Sequence, residues 1–143
     1  RRGRFDGPVL YLDLDTVVLG ELDELARVAL DGEFAAATHR AGGLDAAVMA
    51  WRVDCSFLYR RYAWMPEYWN HRHRQAGHRG YIEGGLRRAG IAWRAIAETL
   101  PGSLVDYADL GAGGAVPPAA RLCVFHGRPR PHELESEQFA YWG

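Results

Sequence analysis

The segment most informative about the architecture is Val9-Leu10-Tyr11-Leu12-Asp13-Leu14-Asp15-Thr16-Val17-Val18-Leu19-Gly20. Its apolar beginning, which ends abruptly at two aspartates, is typical of a strand that is buried on both faces in an α/β protein. Side chains two positions apart on an extended chain point to the same side. We therefore expect the carboxylates of Asp13 and Asp15 to face one site.

Short apolar runs alternate with helical patterns along the rest of the chain. Strands are predicted at residues 16–20, 33–38, 46–51, 105–107 and 121–127, and helices at 21–26, 55–73 (with a break at Pro66) and 80–90. Strands mixed with helices predict an α/β fold in which a mixed sheet is flanked by helices. The length of 143 residues suits one compact domain, so residues 1–143 are predicted to form a single domain.

The composition is that of a globular protein without a strong overall charge. Hydrophobic residues make up 48% and charged residues 24% of the chain, and the formal net charge is -1. No long-range field therefore draws the chain to DNA or to anionic lipid, and we predict no nucleic-acid partner. All 17 cationic side chains are arginines, whose guanidinium groups bind phosphate through two parallel hydrogen bonds.

Targeting signals and metal-site cysteines are not recognisable in the sequence. No apolar run approaches the ~20 residues that a membrane-spanning helix needs, and no signal peptide is visible. We therefore predict no transmembrane segment and a cytoplasmic location. Cys55 and Cys123 stand in apolar runs without metal-site spacing, which favours reduced, buried thiols over a disulfide.

Two carboxylates at the end of a buried strand favour a bound cation. Like charges held close together raise the pKa of one of the groups, and loss of water makes the arrangement less favourable still. Oxygen ligands suit hard cations such as Mg²⁺ and Mn²⁺, which commonly bridge carboxylates to the phosphates of a substrate. The alternative is that one of Asp13 and Asp15 caps the following turn while the other faces water. The apolar residues on both sides of the pair favour the metal site.

Asp13-Leu14-Asp15-Thr16-Val17 resembles the first motif of the haloacid dehalogenase-like phosphatases. In that family the first aspartate is a nucleophile, and a lysine later in the chain steadies the charge. This chain has no lysine, and only Asp106 and Asp109 are available for the later acidic metal motif of that family. A phosphatase is therefore the alternative function.

The stretch from Leu10 to Leu22 more closely resembles the metal-binding segment of GT-A fold glycosyltransferases, in particular the glycogenin and lipopolysaccharide galactosyltransferase group. Residues 44–51 and 125–132 resemble, in the same order, the sugar-contacting segment and the C-terminal segment of that group. The resemblance implies a partial GT-A, Rossmann-like fold. It also implies metal-dependent, retaining transfer of a sugar from a nucleotide-sugar donor to a carbohydrate, lipid-linked or protein acceptor.

The resemblance implies a metal site made of three side chains. Asp13 and Asp15 would hold Mn²⁺ or Mg²⁺ against the diphosphate of the donor, and His126 would be the third ligand. In the family this histidine lies three residues before the glycine, a place that Val124 occupies here. His126 is two residues later, on the same face of the predicted strand.

The resemblance also implies which residues contact the donor. Gly127, Arg128 and Arg130 would bind the diphosphate, with Arg130 at the position of the phosphate-binding lysine of the family; Arg128 could equally be a solvated loop residue. Asp45 would contact the sugar. Asp45 and Glu83 are the predicted catalytic carboxylates, because either could compensate for the family acid that is replaced at His78. Asp45 could equally be a turn residue after Gly43.

Two departures from the family pattern bear on activity. Relatives carry a Gly-Asp-Gln-like segment beside the sugar, whereas this chain has His78 and Arg79 in place of the acid and the amide. The N-terminal strands that hold the base and ribose in the family have no counterpart here, which predicts a fragment that lacks its nucleotide-binding portion. An inactive, truncated relative is therefore a further alternative.

Overall fold

The computed structural model describes residues 7–31, 34–74, 77–111 and 114–134. Within these ranges the chain forms two sheets of mixed parallel and antiparallel strands flanked by helices, which confirms the predicted α/β class. The strands are β1 (Val9–Leu12), β2 (Thr16–Val18), β3 (Phe34–Thr38), β4 (Leu44–Trp51), β5 (Trp93–Ala95), β6 (Leu104–Asp106) and β7 (Leu122–Val124). The α-helices are α1 (Asp23–Leu30), α2 (Ser56–Trp64), α3 (Pro66–Arg72), α4 (Gly77–Arg88), α5 (Ile96–Thr99) and α6 (Tyr107–Leu110).

The larger sheet has the strand order β1-β4-β3-β5. β4 pairs antiparallel with β1 and β3, and β3 pairs parallel with β5. The alanines of β3 are buried, and their small side chains allow helices to approach the sheet closely on both faces. α1 covers one face with Leu25, Val28 and Ala29, which recur at helical spacing. Full burial of a side chain such as Leu25 contributes about 1.5–3 kcal/mol to the free energy of folding.

The opposite face of this sheet is covered by α4. Leu86 of α4 packs into a cluster with Phe34, Leu44 and Met49. Next to it, Gly85 lies so close to α2 that an added Cβ would stand 2.3 Å from Leu58 Cδ2. The absence of a side chain at Gly85 therefore sets how closely α4 packs against α2.

The smaller sheet has the order β2-β7-β6 and brings distant parts of the chain together. β7 pairs antiparallel with β2 and parallel with β6. Its core contains Val17, Cys123 and Phe125, and the ring of Tyr107 stacks on Phe125 with centroids 4.4 Å apart. This pairing places the residues that follow β7 beside the turn between β1 and β2.

Several elements differ from the sequence predictions. The final strand ends at Val124 rather than at residue 127, and β5, α5 and α6 were not predicted. These three elements have only three or four residues each, which is too short to show a periodic pattern. The predicted break at Pro66 is confirmed as the boundary between α2 and α3. In the part of the chain that the structure describes, no helix has the length and apolar character needed to cross a bilayer.

Candidate functional site

Asp13 and Asp15 lie in a tight turn that connects the two sheets. The backbone N–H of Asp13 donates to the carbonyl of Ala47 (2.8 Å), and the N–H of Thr16 donates back to the carbonyl of Asp13 (3.0 Å). Leu14, between the aspartates, is 87% exposed. The prediction that both aspartates stand on an extended chain is therefore wrong. β1 pairs with β4 in the larger sheet and β2 pairs with β7 in the smaller one, so the chain must turn between β1 and β2.

The turn nevertheless brings both carboxylates to one open cavity of about 270 Å³, here called the acidic cavity. Its wall includes four side chains that the sequence had singled out from separate segments: Asp13, Asp15, Asp45 and His126. Gly127, also predicted as a site residue, lines the same cavity and has a positive φ of 90°. A backbone of this kind favours glycine.

Asp45 occupies an irregularity in the larger sheet. The register between β3 and β4 shifts there, so that Ala36 faces Met49 while Ala37 faces Asp45. Asp45 is 8% exposed, and its Oδ1 accepts from the N–H of Ala47 at 3.0 Å. The side chain of Asp45 thus stabilises the local backbone and also forms part of the cavity wall.

The imidazole of His126 lies among carboxylates. Its Nε2 stands 3.2 Å from Asp45 Oδ2 and 3.7 Å from Asp106 Oδ2. The ring of His39 approaches its edge, with centroids 6.0 Å apart. The sequence had suggested Asp106 only for the phosphatase alternative, and it had not suggested His39. The pairing of β6 with β7 and the position of the loop after β3 bring these two residues here.

The two aspartates of the turn bond to separate donors. Asp13 Oδ1 accepts from the N–H of Leu14 at 2.8 Å, and Asp15 Oδ1 accepts from Arg130 Nη1 at 2.5 Å. Within the described ranges, no three His, Cys, Asp or Glu side chains are grouped closely enough to hold a metal ion. The ligand types suit a hard cation, but the arrangement is not preassembled. A metal bound by Asp15 would have to displace Arg130 from that carboxylate.

Two arginines near the C-terminal segment differ in their relation to the cavity. Arg130 reaches the acidic cavity through Asp15, whereas Arg128 pairs with Glu133 at 3.1 Å and lies outside the cavity wall. The N–H of Arg130 also donates to Glu133, and this bond, with the neighbouring guanidinium of Arg128, lowers the pKa of that carboxyl. Glu133 therefore anchors the short 3-10 helix Pro131–Glu133 beside the site.

The first turn of α4 supplies two further side chains to the cavity. His78 and Arg79 both line it. Among the described residues, no carboxylate lies in ion-pair contact with Arg79. Glu83, by contrast, is not part of the cavity wall, because its carboxylate lies against the turn at Gly43, where an added Cβ would stand 3.2 Å from Glu83 Oε2.

The charges around the acidic cavity favour cations. Three aspartates and one arginine line it, which leaves a formal charge of -2 when both histidines are neutral. A ligand that combines a divalent cation with phosphate would satisfy the aspartates and Arg79 together.

The sequence matches no protein family model and no curated protein.

Proposed function

We propose that this chain is the metal-binding part of a glycosyltransferase that transfers a sugar from a nucleotide-sugar donor. One observation carries the proposal: Asp13, Asp15, Asp45 and His126 come from three segments of the chain and line the same cavity. These are the segments that resemble the GT-A family, in the same order. A chance resemblance would not require them to meet in space.

The proposed metal ligands are Asp13, Asp15 and His126, and the proposed ion is Mn²⁺ or Mg²⁺. When bound, such an ion offsets the negative charge that develops on the departing diphosphate. Asp15 is 29% exposed in its side chain and Arg130 is 47% exposed, so their pair is accessible to solvent and can separate. His126 would have to leave Asp45 in the same way.

The proposed role of the arginines is to bind the diphosphate. Arg79 lines the acidic cavity, and Arg130 stands at its edge on Asp15. Their guanidinium groups would bind phosphate oxygens through paired hydrogen bonds. In this proposal, the presence of His78 and Arg79 in place of the family's acid and amide changes how the donor is bound and does not abolish transfer. Arg128 contributes only indirectly, because it is paired with Glu133.

Asp45 is the proposed contact to the transferred sugar. Its Oδ2 faces His126, and its buried position would make a hydrogen bond from a sugar hydroxyl directional. Glu83, the other predicted catalytic carboxylate, has no role in this proposal because it lies against Gly43.

The first test is metal binding by the chain alone. Mn²⁺ is titrated into the protein, and free Mn²⁺ is followed by electron paramagnetic resonance. We expect saturable binding that is lost in the double variant Asp13→Asn/Asp15→Asn. Asp109→Asn is the matched control, because Asp109 is an exposed acid that pairs with Arg40 away from the acidic cavity. Equal Mn²⁺ binding by the wild type and the double variant would contradict the proposal.

The second test is turnover. We expect slow hydrolysis of UDP-glucose or GDP-mannose that depends on Mn²⁺ and on Asp15. Mn²⁺ binding without any hydrolysis of a nucleotide sugar would favour the inactive relative. Hydrolysis of 4-nitrophenyl phosphate that is abolished by Asp13→Asn would favour the phosphatase.

A further inference from the structure

A second, larger cavity lies beside the acidic one. It encloses about 790 Å³, which is within the range of small-molecule sites, and helices α2, α3 and α4 form much of its wall. Aromatic rings dominate this wall, so it is here called the aromatic cavity. Tyr59 is 65% exposed and Tyr11 40% exposed, so two of the rings present free surface to a ligand.

One buried polar atom in this wall has no partner. Nε2 of His73 is shielded from solvent and forms no hydrogen bond among the residues that the structure describes. The tyrosine and tryptophan beside it are satisfied: Tyr81 donates to the carbonyl of Leu58 at 2.7 Å, and Trp69 Nε1 donates to the carbonyl of Arg61 at 2.9 Å. A buried polar atom without a partner is costly, so His73 indicates a ligand that carries a hydrogen-bonding group.

The orientation of the rings limits the shape of that ligand. Tyr81 meets Tyr62, Trp69 and His73 edge to face, with interplanar angles of 73°, 61° and 80°. Trp69 and His73 are stacked on each other, with an interplanar angle of 24° and centroids 6.1 Å apart, so no nucleobase fits between them. The other ring pairs do not form the parallel walls that would hold a flat nucleobase. An alkyl chain would leave His73 Nε2 without a partner. A puckered sugar ring, which has C–H faces and hydroxyls around its edge, suits walls of this kind.

The two cavities are adjacent and share part of their walls. Asp13, Ala46 and His78 line both of them. A ligand in the aromatic cavity would therefore reach the place where the proposed donor is held.

We propose that the aromatic cavity binds a carbohydrate ring, with its C–H faces against Tyr11 and Tyr59 and a hydroxyl bonded to His73 Nε2. That this carbohydrate is the acceptor rests on the proposed function. In the transfer, an acceptor hydroxyl oxygen forms a bond to the anomeric carbon of the donor, and the bond from that carbon to the diphosphate breaks. The bonding pair stays with the diphosphate, which also takes the hydroxyl proton.

The test uses simple methyl glycosides of glucose, galactose, mannose and N-acetylglucosamine, without metal or nucleotide. Saturation-transfer difference NMR measures which glycoside protons contact the protein. We expect saturable binding of at least one glycoside through its ring C–H protons. Tyr59→Ala should weaken this binding by about threefold to tenfold, the loss of one aromatic contact. His73→Asn should weaken it as well.

Trp64→Ala is the matched control, because Trp64 is 79% exposed on α2 and does not line the cavity. It should leave glycoside binding unchanged. The inference is overturned if no glycoside binds, if Tyr59→Ala binds as well as the wild type, or if uridine and adenosine bind in place of the glycosides. Glycoside binding in a protein that fails the Mn²⁺ test would uphold the carbohydrate site and reject the glycosyltransferase.

Discussion

Arg130 Nη1 lies 2.5 Å from Asp15 Oδ1, an ion pair between residues 115 positions apart in the chain. It ties the C-terminal segment to the turn after β1, at a carboxylate proposed as a metal ligand. In the described conformation the guanidinium holds the place on Asp15 that a metal ion would take. Arg130 and a divalent cation are therefore expected to compete for Asp15.

This competition predicts that Arg130→Gln raises the affinity for Mn²⁺ in the absence of nucleotide. The pair is partly exposed and weak, so the expected gain is small, up to about fivefold. Isothermal titration with MnCl₂ measures it. Arg128→Gln is the control, since Arg128 pairs with Glu133 and should leave the affinity unchanged. An unchanged affinity in Arg130→Gln would show that Arg130 and Mn²⁺ do not compete for Asp15.

The same substitution has the opposite expected effect on phosphate. With Mn²⁺ present, Arg130→Gln should weaken binding of UDP by about tenfold, because it removes a charge-assisted hydrogen bond to the diphosphate. Titration of UDP into the Mn²⁺-saturated protein measures this loss. Tighter Mn²⁺ binding together with unchanged UDP binding would show that Arg130 pairs with Asp15 but does not bind the diphosphate.

Patterns in the sequence predicted the features of the fold that are determined by residues close together in the chain. The apolar run that ends at Leu12 was predicted as a strand because no charge interrupts it, and Pro66 was predicted to break a helix because it lacks an N–H. The mixed α/β class follows from the same patterns. What local patterns did not predict is that the chain turns between Asp13 and Thr16, because that turn exists only where β2 pairs with the distant β7.

The candidate site was predictable only in part for a similar reason. Asp13 and Asp15 were selected because they follow an apolar run, and His126 was selected by resemblance. All three line one cavity. The pairs Asp15–Arg130 and Asp45–His126 could not be predicted, since they depend on side-chain rotamers and on how the two sheets meet. The aromatic cavity was also missed, because its residues come from two strands and three helices that are separate in the sequence.

His73 predicts a dependence of stability on pH. Burial, followed by the charges of Arg72, Arg88 and Arg61, lowers the pKa of His73 below its ordinary value of 6.5. The unfolded chain therefore binds this proton more readily than the folded protein. The contribution of neutral His73 to stability is fully present above pH 6.5 and is lost as the pH falls through the lower, folded-state pKa.

Urea unfolding at pH values on either side of 6.5 measures this effect. We expect a smaller decrease in unfolding free energy on acidification in His73→Gln than in the wild type, because glutamine does not titrate. His71→Gln is the control, because His71 lies in the last turn of α3, two residues before His73, and is exposed. Equal pH dependence in the wild type and His73→Gln would contradict the prediction.

The two thiols are predicted to be unreactive in the folded protein. Burial, with a smaller effect of Asp54, raises the pKa of Cys55 to about 11, and burial with Asp106 raises the pKa of Cys123 to about 12. Because the thiolate is the nucleophile, alkylation by iodoacetamide at neutral pH should be at least about tenfold slower in native protein than in urea. Mass spectrometry should find half-buried Cys55 modified before Cys123. Rapid modification of native Cys123 would contradict its buried position.

Gly85 and Gly84 are adjacent in α4 but have different surroundings. A Cβ on Gly85 would stand 2.3 Å from Leu58 Cδ2, whereas a Cβ on Gly84 would meet only the end of the Arg88 side chain at 3.7 Å. We therefore expect Gly84→Ala to stabilise the protein by about 0.5–1 kcal/mol, because alanine favours the helix. Gly85→Ala should destabilise it by about 1 kcal/mol, because overpacking against α2 outweighs that gain. Thermal unfolding of both variants measures the difference in sign.

The same pair of variants connects helix packing with binding. Leu58 lines the aromatic cavity, so a methyl group at Gly85 that displaces Leu58 would change the shape of that cavity. We expect Gly85→Ala to weaken glycoside binding severalfold at a temperature where the variant is folded, and Gly84→Ala to leave it unchanged. Wild-type glycoside affinity in folded Gly85→Ala would mean that Leu58 moves away from the cavity, or that the carbohydrate does not reach that wall.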